Sequence, residues 1–147
     1  MKSKHVLASA LAAALLMTAA PASAQLGGGG ERARNRVTVE QIGVNNGAAV
    51  AQTGRRNEGV VTQTGVDNLG IVQQTGNRNS GGVRQLGAGH TATLTQNNNN
   101  NTGCIVQSGT GHNANVNQNG GEYTAFIQTD RGVRPISGWL ANRLCRR

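Results

Sequence analysis

The sequence predicts an all-β protein, a β-solenoid of stacked 22-residue strand-turn-strand laps, each lap made of two 11-residue units. Three observations predict this fold. Eight glutamines follow one another at a constant spacing of 11 residues, glycine occurs 22 times, and only three side chains are aromatic. So few aromatic residues exclude a conventional globular core, and a fixed period indicates a repetitive architecture.

Residues 1–24 have the three parts of a secretory signal peptide: two lysines, an apolar run and small residues before Gln25. The apolar run from Val6 to Ala20 has 15 residues, fewer than the roughly 20 that a membrane-spanning helix needs. We therefore expect cleavage after Ala24, an exported chain and no transmembrane span. Residues 25–34, which are Gly-rich and charged, form a separate N-terminal segment.

The composition is basic and rich in side-chain amides. The chain has 17 Asn and 11 Gln but only six Asp plus Glu, and its formal charge is +8. So few carboxylates argue against a metal site or an acid/base site that needs several of them. Neither His90 nor His112 has an orienting acid nearby in the sequence, which argues against a Cys/His nucleophile. We therefore expect no enzyme, no cofactor and no metal.

The repeat runs from about residue 35 to residue 128. When each glutamine is counted as position zero, +2 is almost always Gly, +5 is mostly Asn, +7 is Ala or Gly, and +9 is aliphatic. The predicted turn residues are Gly43, Asn46, Gly54, Asn57, Gly65, Asn68, Gly76 and Asn79. The predicted aliphatic core residues are Val50, Val61, Val72, Val83, Leu94, Ile105, Val116 and Ile127.

The residue types within each unit and their alternation decide between helix and strand. An 11-residue repeat also suits a right-handed helical supercoil, but every unit carries Gly, Asn and β-branched residues, and each Gly alone costs about 1 kcal/mol in a helix relative to Ala. Along a strand, positions +7, +9, zero and +2 share a constant face, whereas the other face is variable. We therefore expect strands of about seven residues joined by turns of three to four residues.

Stacking of equivalent residues explains the glutamines. Strands two units apart pair at about 4.8 Å, so the glutamines form two ladders inside the coil. Such ladders satisfy buried amides that would otherwise cost about 1–3 kcal/mol each. Small residues at +7 fit a narrow interior. One ladder is Gln41, Gln63, Gln85 and Gln107, and the other is Gln52, Gln74, Gln96 and Gln118.

The units resemble the curlins, subunits of the curli amyloid fibres that bacteria assemble outside the cell. The resemblance rests on the pattern Gln-x-Gly-x-x-Asn-x-Ala-x-x-x-Gln, which runs here from Gln41 to Gln52 and includes Gly43, Asn46 and Ala48. The leader and the Gly-rich residues 25–30 are also similar to the start that directs major curlins to their outer-membrane secretion pore.

The resemblance implies a structural subunit of extracellular curli-like fibres, a cross-β homopolymer at the bacterial cell surface for adhesion and biofilm matrix. Its implied partners are further copies, another curlin subunit, the secretion pore and periplasmic accessory factors. A first lap without a polar cap supports polymerisation, because unpaired strand edges template the next molecule. Two alternatives stay open: a minor curlin that nucleates and anchors fibres, and a soluble β-solenoid that binds ice or a glycan.

Residues 129–147 break the period and form a basic C-terminal tail. Ser137 is placed to cap a short helix with Trp139, Leu140 and Leu144 roughly on one side. The tail is either a lid that folds back over the last lap or an element that attaches to a surface or a partner.

Three arginines, Arg55, Arg56 and Arg78, are expected on one edge of the coil. They either contact an anionic cell surface or polysaccharide, or form a solvated edge whose like charges slow aggregation. The sequence has no basic stripe interleaved with aromatic residues, so it does not indicate specific nucleic-acid recognition.

His90 and His112 lie one lap apart on the same edge. We interpret them as replacements for Asn at a turn, since zinc needs three or four ligands. Cys104 occupies an outward position and Cys145 lies in the tail. One disulfide between them would attach the tail to the third or fourth lap; an intermolecular bridge or two free thiols are the alternatives.

Overall fold

Ten strands and one helix follow one another in a computed structural model that describes residues 34–145. The predicted signal peptide, residues 1–24, and residues 25–33 of the Gly-rich segment lie outside the described residues. The elements are β1 Arg36–Val44, β2 Gly47–Arg55, β3 Glu58–Val66, β4 Leu69–Asn77, β5 Ser80–Ala88, β6 Thr91–Asn97, β7 Thr102–Thr110, β8 Asn113–Gln118, β9 Tyr123–Thr129, β10 Gly132–Pro135 and α1 Gly138–Cys145.

The strands form two sheets that face each other. The first sheet has the order β1-β3-β5-β7-β9-β10, and the second has the order β2-β4-β6-β8. Strands β1 to β9 pair in parallel with the strand two places along the chain, and Gln41 lies opposite Gln63. The chain therefore climbs by one strand of each sheet per lap, which confirms the predicted β-solenoid of 22-residue laps.

The register shifts once, between β7 and β9. Ile105 pairs with Phe126, and Gln107 pairs with Gln128, an offset of 21 residues instead of 22. The cause is the last turn, residues 119–122, which is one residue shorter than the period requires. Because a one-residue shift exchanges the two faces of a strand, Phe126 packs against the core instead of Ile127. The placement of Ile127 in the core was therefore wrong.

The interior is a single narrow layer of small, aliphatic and amide side chains. Alternate residues of each strand point inward, and Val61, Leu94 and Ile105 are fully buried. Position +7 leaves no room for more than a small side chain, because a Cβ added to Gly103 would lie 2.7 Å from Cδ1 of Leu94. Steric exclusion at +7 thus brings the two sheets close together.

The turns are shorter and the strands longer than predicted. Strands β1 to β5 have nine residues each, and most turns between successive strands have two residues. The chain bends in two places per turn: at the +2 glycine, such as Gly65 with φ 128°, and at position +4, such as Asn45 with φ 55°. A Cβ on Gly65 would also collide with the carbonyl of Gly87 one lap along. Turns of four residues occur at 98–101, where Asn98 replaces the +2 glycine, and at 119–122.

The C-terminal tail folds back on the solenoid. Strand β10 pairs antiparallel with β9, and α1 packs on the outer face of the first sheet, where Ala141 and Cys145 join a second cluster around Cys104 and Val106. The buried residues of α1 are Ala141 and Cys145, whereas Trp139 is 70% exposed. The bond from Cys145 to the sheet turns the Ala141 side of the helix inward.

Candidate functional site

The glutamines form two hydrogen-bonded columns through the solenoid. In the first sheet, Nε2 of Gln63 donates to Oε1 of Gln85 at 2.7 Å, and the same nitrogen donates to the carbonyl of Gly47 in the second sheet at 2.8 Å. Each amide therefore links successive laps and the two sheets at once. The full columns are Gln41, Gln63, Gln85, Gln107 and Gln128 in the first sheet and Gln52, Gln74, Gln96 and Gln118 in the second.

Gln128 is a rung that the sequence analysis missed. It stands one place early in the repeat, and the short last turn carries it to a position opposite Gln107, whose Nε2 donates to its Oε1 at 3.2 Å. The signal in the sequence was the same single-residue deletion that moves Phe126 into the core.

The predicted turn asparagines form a second kind of column at the edges of the coil. Oδ1 of Asn57 accepts the backbone N–H of Asn79 at 3.1 Å. Nδ2 of Asn57 donates to the carbonyls of Thr53 at 3.1 Å and Gly76 at 2.9 Å. One side chain thus closes its own turn and binds the next lap, which explains why Asn57 and Asn79 are buried although they lie in turns.

The two histidines occupy the same position as these asparagines. Nδ1 of His90 accepts the backbone N–H of His112 at 3.1 Å, and Nε2 of His90 lies 3.2 Å from the carbonyl of Leu86. Since Nδ1 accepts, Nε2 carries the hydrogen and donates. The rings stack in parallel with centroids 5.1 Å apart. His90 therefore makes two of the three bonds that Asn57 makes, and it lacks the one from the side chain to the +2 carbonyl one lap along.

All glutamine bonds run in one direction. Nε2 of the rung nearer the N-terminus donates to Oε1 of the rung nearer the C-terminus, so the N-terminal rung of each column offers an acceptor. At that end, among residues 34–145, Oε1 of Gln52 is buried and has no hydrogen-bond partner. A buried carbonyl oxygen without a donor costs about 1–3 kcal/mol. The missing donor belongs where a preceding lap would place its glutamine amide.

At the opposite end of the solenoid, the chain itself closes the second glutamine column and the turn column that ends at His112. Nε2 of Gln118 donates to the carbonyl of Glu122 at 3.3 Å in addition to Thr102. Oδ1 of Asp130 accepts the backbone N–H of Thr110 at 3.3 Å and lies 3.0 Å from Nε2 of His112. The sequence analysis assigned no role to Glu122 or Asp130, because their positions depend on the turns that precede and follow β9.

The arginines lie together at one edge, as expected from their positions. Arg55, Arg56 and Arg78 line a cavity of about 330 Å³ together with Asn77, Asn99 and Asn100. Arg84 lies on the outer face of β5, between Thr62 and Val106 of its neighbours. The arrangement concentrates positive charge along a turn edge that is otherwise lined by amides.

The two cysteines are joined. Cys104 of β7 and Cys145 of α1 form a disulfide between residues 41 apart in sequence. In the part of the chain that the structure describes, no group of three or more His, Cys, Asp or Glu side chains is arranged to bind a metal ion. Within the same residues, no helix combines the length and the apolar character needed to span a membrane.

Comparison with known families agrees with this geometry. Residues 33–65 and 66–97 each match the family model described as the curlin associated repeat. Comparisons with curated proteins and with solved structures returned no significant match. The matched residues contain the first three rungs of both glutamine columns, so the hydrogen-bonded columns are the physical counterpart of the repeat. The chain therefore carries two copies of the curlin associated repeat over residues 33–97, which is consistent with a curlin family protein.

Proposed function

We propose that the chain is a structural subunit of extracellular curli-type fibres and polymerises by adding further laps to its own solenoid. The two curlin associated repeats support a curli-type structural subunit. The observation that carries the assembly step is the buried, unpartnered Oε1 of Gln52. The glutamine amide of a second copy is the donor that matches it in chemistry, direction and spacing.

Strand edges support the same step. β1 and β2 are the first strands of their sheets, and no described residue pairs with their outer edges. Unpaired parallel edges with a regular lap spacing are templates for another copy. A second copy that pairs there continues the backbone ladders, the glutamine columns and the turn asparagine columns in one step, which explains why the repeat keeps its period so strictly.

The finer parts of the proposal follow from the family. The fibre lies at the bacterial cell surface, where it serves adhesion and the biofilm matrix. The partners are further copies, another curlin subunit, the secretion pore and periplasmic accessory factors. The arginine edge contributes contacts to an anionic cell surface or polysaccharide. A nucleating or anchoring role and a soluble ligand-binding solenoid are the competing functions.

Seeded growth of the mature chain, residues 25–147, tests the function. Fibres grown in either redox state are expected to give a meridional reflection near 4.7 Å along the fibre axis. Gln52→Leu is expected to slow elongation of wild-type seeds, whereas Gln73→Leu, the same change at an exposed site on β4, leaves it unchanged. If both redox states stay monomeric in analytical ultracentrifugation at micromolar concentration with seeds present, the fibre function is wrong and the soluble binder is favoured.

A further inference from the structure

The C-terminal end of the first sheet ends in a strand of reversed direction. β10 pairs antiparallel with β9, so that Gly132 lies opposite Thr129 and Pro135 opposite Phe126. A second copy that continued the solenoid would have to pair in parallel with β8 and β9. The edge of β9 that it would use is already occupied by β10.

The free edge of β10 is poorly suited to further pairing. All four of its residues are exposed, Pro135 has no backbone N–H to donate, and Arg134 adds a positive charge. Proline and charged residues are the devices by which edge strands avoid pairing with other chains. The reversed strand is therefore the end of the first sheet and not a new template.

The helix that follows β10 holds the strand in place from the side. Cys145 is bonded to Cys104 on the outer face of β7, and Ala141 packs into the same cluster as Val106 and Ala125. Gly82 makes room for this contact, because a Cβ at that position would collide with Cys145. Gly82 lies beside Cys104 in the next strand of the first sheet, so the sheet has a shallow seat for the end of α1.

The two ends of the solenoid therefore differ in kind. At the N-terminal end, no donor among residues 34–145 reaches the buried Oε1 of Gln52. At the C-terminal end the amide of Gln118, the last rung of the second glutamine column, already donates to Glu122, and Asp130 binds His112 and Thr110. A head-to-tail stack needs both ends, one with free acceptors and one with free donors.

We propose that residues 129–145 are a disulfide-held cap that closes the C-terminal end of the solenoid to a second copy. The inference rests on the proposed fibre function. The N-terminal edge of a capped molecule can pair with the uncapped C-terminal end of another copy. No further copy can then add at the C-terminal end of the capped molecule. Continuous head-to-tail growth requires the tail to leave β9.

Reduction of the disulfide is the first step of release. A dithiol reagent transfers two electrons and two protons to the Cys104–Cys145 bond, which becomes two thiols, while the dithiol becomes a cyclic disulfide. The tail is then held by β10 pairing and by packing of α1 alone. The elongation rate scales with the fraction of molecules in the open state.

The experiment compares elongation of sonicated fibres by four forms of the mature chain. They are the oxidised protein, the same protein treated with dithiothreitol, a Cys104→Ser chain that ends at Gln128, and oxidised Trp139→Ala as a matched control on the exposed side of α1. The seeds are fibres of the shortened chain. Circular dichroism and the 4.7 Å reflection distinguish ordered growth from amorphous aggregation.

We expect the shortened chain to elongate seeds about tenfold faster than the oxidised protein, as for a cap that is open in about one molecule in ten. The reduced protein should fall between the two, and Trp139→Ala should match the oxidised protein. Equal rates for the oxidised and shortened chains would overturn the cap and leave the fibre function intact. A folded shortened chain that stays monomeric with every seed would overturn the fibre function, and the cap with it.

Discussion

The backbone N–H of His112 donates to Nδ1 of His90, one lap away, at 3.1 Å, and this bond repeats the one between Asn79 and Oδ1 of Asn57. Histidine can replace asparagine here because Nδ1 accepts where Oδ1 would, and Nε2–H donates where Nδ2–H would. The imidazole reaches the same carbonyl four residues earlier, that of Leu86, at 3.2 Å. The exchange keeps the bond within the turn and the bond to the N–H of the next lap, and it gives up the bond that Nδ2 of asparagine donates to the +2 carbonyl one lap along.

His90→Asn should therefore preserve stability to within about 0.5 kcal/mol, because the amide makes the same two bonds. His90→Leu removes both bonds and leaves the N–H of His112 and the carbonyl of Leu86 without their partners, at an expected cost of about 2–3 kcal/mol. Urea unfolding of the shortened chain, at a concentration too low for polymerisation and followed by circular dichroism, measures the stability of both variants. Equal stability of the two variants would contradict the asparagine-like role.

Gly103→Val should destabilise the solenoid more than any change on the outer face. A Cβ at Gly103 would lie 2.7 Å from Cδ1 of Leu94 and 3.0 Å from Oε1 of Gln118, so the sheets would have to separate. Overpacking of this kind costs about 1–3 kcal/mol. Thermal unfolding measures the loss of stability, and Thr93→Val, which adds a β-branched apolar side chain on the outer face of β6, is the control. A Gly103→Val chain with an unchanged midpoint would show that the interior can expand.

Arg78→Asn should stabilise the chain. Arg78 has φ 60°, a left-handed conformation that costs most side chains about 1–2 kcal/mol and that asparagine tolerates better. We expect a gain of about 0.5–1 kcal/mol in the free energy of unfolding. Arg84→Asn removes the same charge from a strand position and serves as the control. If both variants gain equally, the cause is charge repulsion and not the backbone.

Gln85→Leu should break the first glutamine column in its middle. Nε2 of Gln63 would lose its acceptor at 2.7 Å, and Oε1 of Gln107 would lose its donor at 2.9 Å. The bond from Nε2 of Gln85 to the carbonyl of Leu69 at 3.0 Å would be lost as well, and the loss of these three hydrogen bonds costs about 2–6 kcal/mol together. Both the unfolding free energy and the fibre yield should fall. Gln73→Leu, on the exposed side of β4, is the matched control, and fibres that grow as well from Gln85→Leu as from this control would contradict the column model.

Fibre geometry offers a prediction independent of mutation. Strands β1 to β9 make four and a half laps, which at about 4.8 Å per lap gives a rise of about 22 Å per subunit. Because nine is odd, each uncapped copy should place its β1 over β8 of the copy before it and be rotated by about half a turn. Helical reconstruction from electron cryomicroscopy measures both values. A rise that is a whole number of laps would exclude this stacking.

Several features of the fold followed from the sequence because they are periodic. The 11-residue spacing of the glutamines predicted the strands, their inward faces and the pairing of strands two units apart. In the structure, Gln41 lies opposite Gln63. The glycines at +2 and the asparagines at +5 indicated the bends. A periodic signal is summed over eight units, so single exceptions such as Asn98 do not obscure it.

Other features escaped prediction because each occurs once. The short turn before β9 moves Phe126 into the core and Gln128 into the column, and a single missing residue carries little statistical signal. The left-handed backbone at +4 was hidden because Asn, Arg, Asp and Gly share that position. The side of α1 that faces the sheet was not predicted, because helical periodicity cannot show which side a disulfide turns inward.

The sequence by itself determined the solenoid. One 11-residue pattern specifies the strands, and its repetition specifies how the strands stack. The tertiary structure decided how the two ends differ. Whether Gln52 has a donor and whether Gln118 finds Glu122 depend on contacts between laps and on the direction in which β10 returns. Those contacts are set by where the chain stops repeating, and a repeat pattern holds no information about its own ends.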